Sequence, residues 1–286
     1  MNPEISYWSN AADETMATEL VVAPNGDATL TITSNRDRPE AANAGVFRMR
    51  LKGSDLAAFV DAVRSNSFTA LQNPSSALSG SVVRKITLKE DAKPEIMKFV
   101  GEDAPAPPAF VAAETRALEI AKVVRQHPVF ALGIKLAGMP ARFDRGQSVR
   151  FKVDLENIGS ETVRIVPPPQ WTPESVRFEI VGLRADVALA DLRSHHQRFE
   201  QVSSADVRSF QPSAAAGAML ELARGQRLTL DVERKLDWPP GEYEVRVFYL
   251  TSIFNSDGGA VARCELTLKA VRIRVSGESR PDDNTP

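Results

Sequence analysis

The sequence predicts an α+β N-terminal domain, an antiparallel sheet with two helices, followed by an all-β sandwich. Three observations carry this prediction. Before Arg125, runs of alternating residues are twice followed by a helical apolar stripe, the pattern of helices layered on one antiparallel sheet. After His127-Pro128 the hydrophobic period becomes two almost throughout. The stretch Gly241 to Leu250, introduced by Trp238-Pro239-Pro240, sets Tyr243, Val245, Val247 and Tyr249 on one strand face and Glu242, Glu244 and Arg246 on the other. A chain of 286 residues favours two domains, because single cores stop growing near roughly 250 residues. The expected boundaries are 1–126, 127–275 and a polar tail, 276–286, too hydrophilic to order itself.

Ile5 to Trp8 is the first strand candidate. Thr18 to Val22 and Ala28 to Thr33 flank Pro24-Asn25-Gly26-Asp27, and Asn-Gly between alternating runs is a strong hairpin signal. Val46 to Leu51 follows, with Phe47, Met49 and Leu51 on one face. Gly53-Ser54 opens a helix, with Ser54 as its N-cap and Asp55 near the positive end of the dipole. Its Leu56, Phe59, Val60 and Val63, at i, i+3, i+4 and i+7, form a stripe that packs on a sheet. A second hairpin joins Val82 to Lys89 with Glu95 to Val100. A helix from about Phe110 to Arg125 is expected to turn Val111, Leu118, Ala121 and Val124 inward.

His127-Pro128 marks the boundary, since the residue before proline leaves helical geometry. Strands then follow around Leu132 to Leu136, Val149 to Leu155, Val163 to Ile165, Val176 to Ile180 and Leu228 to Val232, and at Gly241 to Leu250. The last run, Cys264, Leu266, Leu268, then Val271, Ile273 and Val275, changes parity across Lys269-Ala270, where a bulge restores the inward face.

The phrase from Pro240 to Val245 resembles the start of the penultimate strand of immunoglobulin-like domains, which makes Tyr243 the tyrosine that bonds back to the backbone just after a turn. With the succession from Arg145 through Ser160 and from Ala223 through Leu228, the C-terminal half is similar to bacterial immunoglobulin-like modules of the intracellular proteinase inhibitor type. The resemblance implies a seven-stranded sandwich with inhibition as one possible role. It transfers no reactive-site residue.

The formal net charge of -2 and pI of about 6.0 give no global field that would draw the chain to nucleic acid or an anionic membrane. No apolar run approaches the roughly 20 residues that span a bilayer, and the N-terminal residues lack a signal-peptide pattern, so a soluble cytoplasmic chain is expected. Cys264 is the single cysteine, read as a small buried hydrophobe. No catalytic residue, cofactor motif or metal site has the required spacing: His195 and His196 are adjacent and diverge in an extended segment, and Asn255 to Gly259 lacks the distal acid of a calcium loop.

Function is therefore expected at a surface, as non-enzymatic recognition, inhibitory or accessory, of another protein. The turn at Glu156 to Ser160, the long connection from Leu183 to Gly217 and the hairpin tip at Thr251 to Ala260 are expected at one end of the sandwich. Ile253 and Phe254 at that tip, with His195 and His196 from the connection, are the candidate partner-binding residues. In the competing arrangement the connection folds back over Ile253 and Phe254 as a local core. The alternative function is an enzyme or small-molecule binder with its site in an interdomain cleft.

Overall fold

The structure, a computed structural model, describes residues 2–10, 17–35, 43–74, 83–101, 105–185 and 197–277. The first strands are β1 (Glu4–Asn10), β2 (Ala17–Val22), β3 (Asp27–Ile32), β4 (Asn43–Arg50), β5 (Val83–Lys89) and β6 (Ile96–Gly101), with helices α1 (Gly53–Arg64), α2 (Asn66–Thr69) and α3 (Pro108–Val124). Then come β7 (Pro128–Ala137), β8 (Arg142–Asp144), β9 (Ser148–Asn157), β10 (Val163–Ile165), β11 (Val176–Arg184), β12 (Gln197–Val202) and β13 (Val207–Gln211). The chain continues with β14 (Leu220–Leu222), β15 (Arg227–Lys235), β16 (Gly241–Phe254), β17 (Ala260–Thr267) and β18 (Val271–Ser276).

The expected fold class, an α+β domain followed by an immunoglobulin-like sandwich, is corrected. Of the described residues 52% are in strands and 16% in helices, and two large antiparallel sheets run across the chain. One has ten strands in the order β13-β15-β9-β7-β4-β3-β2-β1-β5-β6. The other has eight, with the path β12-β11-β16-β10-β14, while β17 and β18 also pair with β16 and β8 joins β18. The first sheet thus contains strands from both sides of His127. Strand periodicity shows which face is inward but not which strand lies alongside, and β4 and β7 are non-local neighbours.

Two compact units divide the chain. The first comprises Met1–Ser34, Ala44–Ala131 and Ile158–Glu161. Its sheet core is built from Ile5, Tyr7, Leu20, Leu30, Phe47 and Ile86, all but excluded from solvent. The Asn25-Gly26 turn forms as expected: Gly26 takes φ 87° and donates to the Ala23 carbonyl. α1 buries Leu56, Phe59, Val60 and Val63, the stripe read from the sequence, but its N-cap is Lys52, without a side-chain cap bond, so Ser54 lies inside the first turn. α3 is rotated from expectation: Phe110, Ala113, Glu114, Ala117, Ile120 and Val124 face inward, and Val111 and Leu118 are 43% and 45% exposed.

The second unit comprises Asn35–Asn43, Leu132–Asn157 and Thr162–Pro286. Within it the two sheets meet face to face, with Phe151 of β9 edge-on to Phe178 of β11 at 6.4 Å. Trp171 and Tyr249 complete the aromatic cluster, at 6.3 and 5.8 Å from Phe178. The parity change read at Lys269-Ala270 is present: Phe248 faces Thr267 but Val245 faces Val271, so three steps on β16 oppose four on the other strand. Ile273 and Val275 are thereby returned to the core. Most of the expected tail, from residue 278 onward, lies outside the described residues. No helix among the described residues is long and apolar enough to cross a membrane.

Candidate recognition site at a sheet edge

The segment from Leu183 to Gly217 is not one long connection. Leu183 lies in β11, which ends at Arg184, and the stretch contains β12 and β13, linked by a 3-10 turn at Ser204–Asp206. That turn is fixed by a capping box, with Ser203 and Asp206 each bonding the other's backbone. β12 pairs on one side with β11, Val202 facing Phe178 and Arg198 facing Gly182. Its other side is the edge of the eight-stranded sheet.

β12 is held from the inner face by charge. Arg234 donates from Nη2 to Glu200 Oε2 at 3.1 Å and from Nη1 to both Asp206 oxygens at 3.0 and 3.1 Å. Desolvation opposes the Arg234 charge, but the bonds to Asp206 and Glu200 outweigh it and hold the guanidinium above the usual arginine value. Trp238 donates from Nε1 to Glu200 Oε1 at 3.3 Å. The indole lies over Gly182, where an added Cβ would come within 2.6 Å of the ring. Tyr243 packs 5.1 Å from Trp238 and donates its hydroxyl to the Pro239 carbonyl at 2.8 Å, the backbone bond read for it from the sequence. One edge strand is thus positioned by a corner, a tryptophan and a guanidinium.

On the outer face Phe199 is 53% exposed. The other edges are blunted. Asn35 donates to the Thr267 carbonyl at 2.8 Å and accepts from the Thr267 amide at 2.6 Å, occupying the free side of β17. Asn73 does the same for β6, bonding the Met97 carbonyl and the Phe99 amide. β13 carries a register irregularity between Val207 and Ser209 and runs into Pro212, while β8 and β14 are three residues long. These are the devices that prevent uncontrolled strand pairing. Among the described residues, β12 has no asparagine clip, register irregularity, proline or truncation, and no backbone partner on its outer side; its one such device is the inward-facing charge of Glu200.

The predicted tip residues fare differently. β16 continues to Phe254, so Ile253 is a core residue with 0% exposure and Phe254 is half-buried. The exposed apolar pair is corrected to a single partly covered ring, because the strand alternation persists past Leu250 and turns Ile253 inward. Asn255 to Gly259 is a hairpin turn closed by Asn255, which accepts from Gly259 at 2.7 Å. His195 and His196 lie outside the described residues. The described strands that flank them, ending at Arg184 and resuming at Gln197, lie at the Tyr243 end of β16, since Arg184 faces Tyr243. Val176 faces Thr251 at the opposite end, toward the hairpin tip. Sequence reasoning missed Phe199 because Arg198 to Val202 is a short mixed run inside a stretch read as a loop.

In the first unit Glu114, 6% exposed, accepts from Tyr7 at 3.1 Å and Arg84 at 2.9 Å. Burial, then the Glu114 charge, pushes the Tyr7 phenol up. Burial raises the Cys264 thiol to about 12. A cavity of about 150 Å³ between α1, β4 and α3 is lined by Met49, Leu51 and Ile120 with Asp55 and an Arg116–Glu119 ion pair at its rim. Among the described residues no three His, Cys, Asp or Glu side chains converge as a metal site.

No protein-family model matches the sequence, and no curated protein does. Solved structures similar in part include the ApaA protein from Bordetella pertussis, at 12% identity over 50% of this chain and 91% of that one, with a TM-score of 0.27. The sporulation control protein Spo0M from Bacillus subtilis matches at 13% identity over 51% and 50%, with a TM-score of 0.29. AvmM, which catalyses macrocyclization in alchivemycin A biosynthesis, matches at 13% identity over 53% and 92%, with a TM-score of 0.27. Likeness at this level carries no argument about fold or function.

Proposed function

We propose that this chain is a non-enzymatic recognition protein that binds another polypeptide by strand addition along the outer edge of β12. The observation that carries the reading is the contrast among edges: among the described residues nothing pairs with the outer edge of β12, which has an exposed phenylalanine at its centre, while Asn35 and Asn73 occupy the edges of β17 and β6. Main-chain hydrogen bonds along an open edge supply affinity, and an aromatic side chain beside them supplies a specific anchor. Binding rather than catalysis is favoured because the carboxylates of Glu200, Asp206, Glu114 and Glu179 are each paired with an arginine. The same reading has the protein act in the cytoplasm.

An affinity pull-down from native lysate tests it with three baits: wild type, Phe199→Asp and Phe254→Asp, each checked for unchanged circular dichroism. A stoichiometric protein recovered by wild type and Phe254→Asp but lost by Phe199→Asp is expected. Loss in Phe254→Asp alone would return the site to the hairpin tip, and equal recovery by all three would remove both.

A further inference from the structure

We infer that the strand received by β12 is β12 of a second copy, paired antiparallel about a two-fold axis through Phe199; this rests on the strand-addition reading above. In antiparallel pairs, facing residues point to the same side of the sheet. A two-fold axis perpendicular to the sheet preserves that side, so it permits only registers in which one residue faces its own copy.

Centring on Arg198 sets two guanidiniums opposite each other, and centring on Glu200 sets two carboxylates opposite each other. Like charges directly opposed across strands are destabilising. Centring on Gln201 leaves only Glu200 to Val202 of the strand to overlap. Centring on Phe199 places ring against ring on the outer face and sets Arg198 opposite the Glu200 of the other copy, twice, on the inner face. The short sequence of β12 is therefore complementary to itself in one register. Glu200 is pre-positioned for it by Arg234 and Trp238, and Arg198 is exposed. The product is a continuous sheet in which the open edge of each copy is removed.

The test begins with sedimentation of the full chain from 1 to about 200 μM, spanning the range of ordinary homodimer affinities. A concentration-dependent dimer is expected, and Phe199→Lys, which sets two ammonium groups at the axis, should weaken it about tenfold or more. Under mild oxidation Phe199→Cys should form an interchain disulfide, because facing residues lie within disulfide reach. Gln201→Cys should not, being two residues from the axis on each strand. Cys264 is buried and does not compete. A wild-type monomer throughout the range overturns self-pairing but leaves strand addition to another protein standing, to be decided by the Phe199→Asp pull-down. A dimer that persists in Phe199→Lys, or cross-links at position 201 and not 199, overturns the interface and its register.

Discussion

Tyr243 and Tyr249 lie on the same face of β16 and are both buried, yet their hydroxyls differ. Tyr243 donates to Pro239, whereas the buried Tyr249 hydroxyl makes no well-formed hydrogen bond among the described residues, with Thr251 as its polar neighbour. Tyr243→Phe should therefore cost about 1–3 kcal/mol by orphaning the carbonyl, while Tyr249→Phe should be neutral or stabilising by about 1 kcal/mol. Urea unfolding of the two variants checks this, and equal losses in both would refute the distinction. Gly182→Ala drives a methyl to 2.6 Å from the Trp238 ring and should cost about 1–3 kcal/mol as overpacking, read in the same titration. Cys264 gives a pH dependence. Its thiol moves from 9.0 to about 12 on folding, so the native state holds a proton that the unfolded chain releases. Stability should be unaffected by this group below pH 9 and should fall between about pH 9 and 12, with a slope near 1.4 kcal/mol per pH unit. Cys264→Ala should remove that part of the slope, measured by denaturation at pH 8 and pH 11. The Tyr243 bond was legible from the Pro-Gly-Glu-Tyr phrase because it is local, four residues away. The packing around Tyr249 was not, because the Trp171 and Phe178 rings that enclose it come from distant stretches of the chain.

Elements were legible where their pattern was local and simple. The α1 stripe and the Asn25-Gly26 hairpin formed as read, since each is decided within about ten residues. In α3 Val124 faces inward as expected but the apolar Val111 and Leu118 do not, because Phe110, Ala113, Ala117, Ile120 and Val124 follow the tighter 3-4-3-4 spacing. The price of choosing that face is Glu114, which is accommodated by Arg84 and Tyr7 from β5 and β1. The asparagine clips were invisible in the sequence: Asn35 reaches a residue 232 positions away, and Asn73 one 24 away. Each satisfies both backbone groups of an edge strand that would otherwise be open to another chain. Asn35→Ala leaves the buried Thr267 amide and carbonyl unpaired and should cost about 2–4 kcal/mol, whereas Asn73→Ala, at an exposed site, should cost under about 1 kcal/mol. Both should raise turbidity on incubation at concentrations where wild type stays clear. Unchanged turbidity in both would mean the clips do not guard their edges.

At the scale of the whole molecule, the composition of the units decides how the chain can be cut. Unit one needs Pro128 to Ala131 and Ile158 to Glu161 in addition to its N-terminal residues. Arg48 of β4 donates to the His127 carbonyl, and Gly45 packs so closely on Phe130 and Ala131 that a Cβ there would sit 2.2 Å from the Phe130 carbonyl oxygen. The amides of Ile158, Ser160 and Glu161 in turn bond the carbonyls of Ala131, Pro128 and Val129. A fragment ending at Gln126 lacks every one of these partners and exposes β4 as a long, largely apolar edge. Unit two likewise needs Asn35, which the sequence places far upstream of its other strands. Fragments 1–126 and 127–277 should therefore each melt without the cooperative transition of the intact chain, and the first should aggregate on purification. Thermal unfolding followed by circular dichroism, alone and after mixing, makes the comparison. Two separate cooperative transitions matching those of the full chain would show that the exchanged segments are dispensable. Their absence would show that a boundary read from hydrophobic period alone falls inside a folding unit, because period reports the face of a strand and says nothing of its neighbour.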